Sequence, residues 1–367
     1  MEEKGQLVTN KIEKKLKRRE FNLFDAAIAC VMFIVLQILF DLVYQFLPSS
    51  FTNTFTVAFL ASLLVESIFF FTVIITAKQR NVEFVSATKL NVKPDILSVL
   101  LAFGISFICL VSFTGLTNVF VNFLYKLGYS SNASLAVPNL LVYLIYIFLI
   151  CICPAFFEDF LFRGCILSGL RKLGDNKAVI LSALIFMLMH GGPDQTIHQF
   201  IIGIVLGYSF LASGTIWIPV IIHFANNFTA LTLAYLTRNA ETVETVIPTW
   251  GQLFLQLASA VISAIIGVYL VYFCIRGLKK IKENKEKETL NNKMQEAKNN
   301  EETITQEVAE EISIQESKLE IKEETLTETL STDNQNIKEN KYTKILFGLA
   351  GAYLLINWLL ALISGLI

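Results

Sequence analysis

The sequence predicts an all-α, polytopic transmembrane helix bundle of about eight spans, with a C-terminal anchor helix placed after a disordered cytoplasmic insert. Three observations predict it. The 367 residues are 54% hydrophobic and 17% charged, with a mean hydropathy of +0.57, well above that of an ordinary soluble domain. Apolar runs of about 20 residues, the length that crosses a hydrocarbon layer, recur along nearly the whole chain. Lysine and arginine collect in some of the segments between these runs and avoid the others.

Residues 1–23 carry "KIEKKLKRRE", a basic N-terminus that belongs in the cytoplasm. The first span, 24–46, is too long for a signal peptide and lacks a small-residue cleavage site. Further spans are expected at 56–77, 96–124, 140–162, 179–190, 197–211, 216–236, 253–275 and 345–366, nine in all. Nine crossings put "KQRNVEFVSATKLNVK", "RGCILSGLRKLGDNK" and "RGLKKIKENKEK" on the side of the N-terminus. The segments "LPSSFTNT", "YSSNASLAVPN" and "NAETVETVIPTWG" are poor in basic residues, as outside loops should be.

The chain therefore divides into N-terminal helices (24–138), a central helical core (139–237), an outside loop with the eighth helix (238–277), an acidic low-complexity cytoplasmic insert (278–342) and a last helix (343–367). The insert is rich in Glu, Lys, Asn and Thr, and disorder is expected because so polar a segment buries too little apolar surface to offset the entropy of ordering. A heptad-like spacing of Val308, Ile312, Leu319 and Leu326 would suit a transient helix or coiled coil, and a protein partner is the ligand to expect there. Lys, Asn and Ile richness suits the plasma membrane of a low-GC bacterium. A net charge of −1 gives no ground for a nucleic-acid partner. The six cysteines are scattered in or beside spans and read as small packing residues. No internal repeat is evident, which weighs against a transporter of duplicated halves.

Ionisable groups inside spans cost ~2.5–3.5 kcal/mol each at the helix centre on insertion scales, so each needs a reason. "FFEDFLFRG" places Asp159 and Arg163 four apart, on one helix face, where they can pair. That pairing leaves Glu158 as the acid free to accept a proton. The chain has three histidines. His190 ends "FMLMH", four residues after Phe186, and His223 begins "HFANN", four residues before Asn227. A lone histidine on an apolar helix is usually a packing residue, but Glu158, His190, His223 and Asn227 together supply a base, two imidazoles and an amide from three helices. His198, at the start of the sixth span, reads as interfacial and non-catalytic. Gly203 and Gly207 form a small-xxx-small face for close helix approach. On these boundaries Glu158 lies near the basic end of its span, whereas His190 lies ~20 Å up the next helix at a rise of 1.5 Å per residue. A tilted, broken or late-starting fifth helix is expected to bring them together.

The ordered set "EDFLFR", "FMLMH" and "HFANN" resembles the CAAX protease and bacteriocin-processing family, the type II CAAX prenyl endopeptidase or Abi group of intramembrane proteases. The resemblance covers about 140–236. One position departs from it: the family usually has a second glutamate where this chain has Asp159, a side chain one methylene shorter. The resemblance implies an endopeptidase acting on peptides or lipidated proteins in the membrane, with Glu158 activating water, His190 as its partner, and His223 with Asn227 stabilising the oxyanion. It implies a supporting ion pair of Asp159 with Arg163. No cofactor is favoured; zinc is the alternative, and its ligands would be Glu158, His190 and His223. The competing reading is a catalytically silent scaffold or bacteriocin self-immunity protein that works through the acidic insert.

Overall fold

The computed structural model of the chain describes residues 20–52, 54–130, 136–239, 247–299 and 341–366. Among them there is no strand. The helices are α1 (Leu23–Gln45), α2 (Phe55–Gln79), α3 (Ile96–Lys126), α4 (Leu140–Leu173), α5 (Asp175–Met189), α6 (Thr196–Ser213), α7 (Trp217–Leu236), α8 (Trp250–Asn299) and α9 (Lys341–Leu366). The first four begin at side-chain caps from Asn22, Thr54, Asp95 and Asn139, which satisfy N–H groups that the first turn leaves orphaned. At α1 the cap is reciprocal: Asn22 Oδ1 accepts from Asp25 N–H at 3.0 Å and Asp25 Oδ2 accepts from Asn22 N–H at 2.9 Å.

Among the described residues, eight helices are long and apolar enough to cross a membrane, and the chain is an integral membrane protein. The expected fifth span is the exception. With 15 residues, α5 reaches only partway before the chain turns at Gly191, whose φ of 67° suits glycine, into a 3-10 turn (Pro193–Gln195) that leads into α6. Irregular backbone at that depth is tolerated because it is enclosed by protein.

Two ends of the bundle can be distinguished by their contacts. At one, Lys89 pairs with Glu20 at 3.0 Å, Lys285 with Asp95 at 3.1 Å, and Trp217 Nε1–H donates to the Leu90 carbonyl at 3.0 Å. At the other, Lys126 Nζ donates to the Pro248 carbonyl at 3.0 Å and Tyr143 stacks on Tyr235 at 4.6 Å. Among the described residues, the basic segments after α2, α4 and the apolar part of α8 gather at the first end.

Two expectations need correction. The fourth span does not stop at residue 162 with a basic loop after it, because Arg163 to Leu170 continue inside α4 and, apart from half-buried Ser168, are buried. Arg163 is tolerated there because Asp159 neutralises it, and the residues after it are mostly apolar. The insert is also not disordered from its start, since α8 runs on to Asn299. A helix that already exists extends without paying the nucleation cost again, and Glu and Lys propagate it well. Leu278 anchors that extension in the core, and Lys279 lies 3.8 Å from Glu283. The remainder of the insert, with Val308, Ile312, Leu319 and Leu326, lies outside the described residues.

Small residues set the closest helix approaches, as the sixth span led us to expect. Gly203 faces Ala183 and Phe186 of α5, and Gly207 faces Val179. A closer approach is made on α4: a Cβ on Gly169 would lie 2.5 Å from the Asn22 carbonyl oxygen and 2.8 Å from the Ala26 Cβ. Gly169→Val is therefore expected to lower stability by ~1–3 kcal/mol through overpacking. A thermal melt of the purified chain in detergent checks this, and an unchanged midpoint would mean that α1 and α4 do not pack so closely there.

Candidate active site

Two segments of α4 are wound as π-helix, Ile147–Ile152 and Phe160–Leu167, on either side of the α-helical Cys153–Asp159. A π-turn shifts the register of the residues after it and loosens the backbone ladder, and it recurs at functional sites. Its effect here is concrete. The Ile150 carbonyl accepts from Asn227 Nδ2 at 2.9 Å, which ties α4 to α7 close to Glu158.

The depth difficulty is resolved on α4 rather than on α5. Because α4 continues to Leu173, Glu158 stands 15 residues from that end, and His190 stands 15 residues beyond Asp175, across the same turn. They meet at the same height. Glu158 Oε2 lies 4.0 Å from His190 Nε2 and 3.9 Å from His223 Nε2, so three helices deliver three groups to one point. These three and Asn227 line a cavity of about 320 Å³ together with Ile150, Pro154, Gln195, Gln199, Ala230 and Leu231.

The far nitrogens of both imidazoles are held. His190 Nδ1 lies 2.8 Å from the Phe186 carbonyl, which can only accept, so Nδ1 carries the hydrogen. His223 Nδ1 lies 3.2 Å from Asp159 Oδ2, and the same reasoning assigns it a hydrogen when the carboxylate is charged. In neutral rings both Nε2 atoms are then acceptors facing Glu158 Oε2, which is buried and accepts no hydrogen bond. Three acceptors around one point call for a donor between them, such as a water.

Beneath this point lies the ion pair. Asp159 Oδ1 is 2.8 Å from Arg163 Nη1, with the side chains 0% and 1% exposed. Arg163 Nη2 donates to the Gly203 carbonyl at 3.5 Å, and its guanidinium lies 4.4 Å over the Phe186 ring. The Phe186 ring in turn meets the His190 ring edge to face at 4.6 Å and the His223 ring at 6.0 Å. The aspartate that stands where a glutamate was expected thus uses one oxygen on Arg163 and the other on His223. It does not line the cavity, and its shorter reach suffices.

The sequence set comes together in full, and residues 138–229 match the family model for the type II CAAX prenyl endopeptidase, Rce1-like. The chain carries an Rce1-like domain. The match takes in α4 to α6 and most of α7 and leaves α1 to α3, α8 and α9 outside it. No curated protein and no solved structure matches the chain. The matched family is one of endopeptidases.

Several residues around the Rce1-like site carry no pattern that the sequence motifs include. His198, read as interfacial, is half-buried with Nε2 3.2 Å from Asn226 Nδ2, and Asn226 also donates to Asn227 Oδ1 at 3.3 Å. Gln195 and Gln199 line the cavity. Glu66, in the middle of α2, has its Oε2 buried with no hydrogen bond. An acid inside a span is itself a signal, so Glu66 could have been singled out beforehand.

The same atoms allow a test of the zinc alternative. Tetrahedral zinc with nitrogen and oxygen ligands at about 2.0–2.2 Å sets neighbouring ligand atoms roughly 3.4 Å apart. The separations here are 4.0 and 3.9 Å, and no trio of metal-binding side chains is gathered more tightly among the described residues. A water with partners at about 2.8 Å sets neighbouring partners roughly 4.6 Å apart, so the observed gap lies midway between the two cases. The donor types suit zinc, and the spacing by itself decides for neither.

Proposed function

We propose that the chain is an intramembrane endopeptidase that hydrolyses peptide bonds with a water activated by Glu158. The convergence of Glu158 Oε2 with His190 Nε2 and His223 Nε2 at 4.0 and 3.9 Å carries the reading. A water placed there donates one hydrogen to Glu158 and the other to His190, leaving a lone pair for the substrate carbonyl carbon. As the C–O bond forms, Glu158 takes the proton. The Asn227 N–H that Ile150 does not use donates to the oxyanion, beside the His223 ring that Asp159 holds in place. When the C–N bond breaks, the proton on Glu158 passes to the leaving amine. The products are a carboxylic acid and an amine.

The substrates on this reading are membrane-associated peptides or lipidated proteins, by likeness to CAAX-type processing. The positive-inside rule puts the basic end of the bundle, and with it the charged extension of α8, in the cytoplasm of a bacterial cell.

The test is cleavage of a fluorogenic, membrane-anchored peptide set by the purified chain in lipid vesicles. His190→Ala and His223→Ala are each expected to abolish cleavage with the fold retained, and normal cleavage by both would sink the proposal. Chelator treatment is expected to leave the rate within about twofold, because no step is assigned to a metal. A loss restored by added zinc would instead make Glu158, His190 and His223 a metal site.

A further inference from the structure

The last helix lies outside the Rce1-like domain and follows the insert, yet it packs directly behind the catalytic histidine. α9 contacts α1, α5 and the 3-10 turn Pro193–Gln195, and Ala350 and Leu354 are buried in the core. Its far end is fixed as well. The Gly365 carbonyl accepts from Ser130 N–H at 2.7 Å, and Gly365 lies so close to the Tyr129 ring that no Cβ would fit.

Between these two anchors, Trp358 Nε1–H donates to Thr196 Oγ1 at 2.9 Å. Thr196 is the first residue of α6, and a short relay of backbone bonds leads from the turn before it back to the site. Gln195 N–H donates to the Gly192 carbonyl at 3.1 Å, and Gly192 N–H donates to the His190 carbonyl at 2.8 Å. The loop begins with two glycines, one at φ 67°, and its side-chain anchor is the buried Pro193. It is held from outside, by α3 on one side and α9 on the other.

We propose that α9 is a positioning element of the active site, and that the Trp358–Thr196 bond holds the loop that sets the placement of His190 and Gln195. The effect on rate rests on the protease reading above; the effect on the loop does not. Neither Trp358 nor Thr196 lines the cavity, so they act through the loop and not on substrate.

The experiment compares the full-length chain with Trp358→Phe, Thr196→Val, Thr196→Ser and the Trp358→Phe/Thr196→Val double variant in lipid discs. Phenylalanine keeps a ring and drops the N–H; valine keeps the shape and drops the hydroxyl. Amide hydrogen exchange across 191–196 is expected to rise about three- to tenfold in Trp358→Phe and Thr196→Val, the range set by one net hydrogen bond. The double variant should rise no further, Thr196→Ser should stay at the wild-type rate, and α7 should not change. On the fluorogenic peptide, kcat should fall by a similar factor with KM unchanged. Exchange that stays at the wild-type rate in both single variants overturns the proposal, and raised exchange with wild-type kcat overturns its catalytic part. A wild-type chain that cleaves nothing refutes the protease reading, while the exchange data still decide whether α9 holds the loop.

Discussion

Cleavage by the Glu158→Gln chain is expected to fall by about 10²–10⁴-fold, the share that a positioned general base supplies. Glutamine keeps the size of the side chain and removes both the proton acceptor and the negative charge. At 1.36 kcal/mol per decade the loss is roughly 3–5 kcal/mol of transition-state stabilisation. Folding should not suffer, because Glu158 is 6% exposed and its Oε2 accepts no hydrogen bond, so removing its charge removes a desolvation cost. Kinetics on the fluorogenic peptide and a thermal melt are the two measurements. Activity lost with a midpoint equal to or above wild type is the expected pair of results. Full activity would leave the cavity without its base.

Arg163→Leu should behave in the opposite way, as a change of stability before it is a change of rate. It leaves the Asp159 carboxylate buried at 0% exposure, with only His223 beside it. Breaking a buried pair from one side costs ~3–5 kcal/mol, because an uncompensated charge remains. The same substitution removes the guanidinium from the Phe186 ring and the donor to the Gly203 carbonyl, so α4, α5 and α6 lose a common anchor. Adding Asp159→Asn should recover much of the stability and none of the activity, since His223 would still lack its carboxylate. Denaturation of the single and double variants in detergent measures this. Equal stability of the two would mean that the pair does not hold the helices.

What was legible in the sequence is what the helix period carries. Asp159 with Arg163, Phe186 with His190, and His223 with Asn227 are each four apart, and each spacing puts two side chains on one face, whatever the rest of the fold does. The apolar runs likewise marked the helices. The height of Glu158 was not legible. It depends on where α4 ends, and a buried arginine followed by apolar residues looks like a loop until its neutralising partner is seen. The π-helical segments were not legible either, because they are a property of the backbone register and leave no residue pattern. The short reach of α5 and the helical continuation of α8 to Asn299 belong with these. The docking of α9 behind the His190 loop depends on one tryptophan and one threonine 162 positions apart, a pairing no local pattern announces.

The most direct test of the central claim is to compare membrane and secreted peptide termini by mass spectrometry in cells expressing the wild-type chain or Glu158→Ala at equal abundance. Termini present with the wild type and missing with Glu158→Ala are the result expected of a glutamate-dependent endopeptidase, and they would give the cleavage site directly. Identical termini in the two would contradict it.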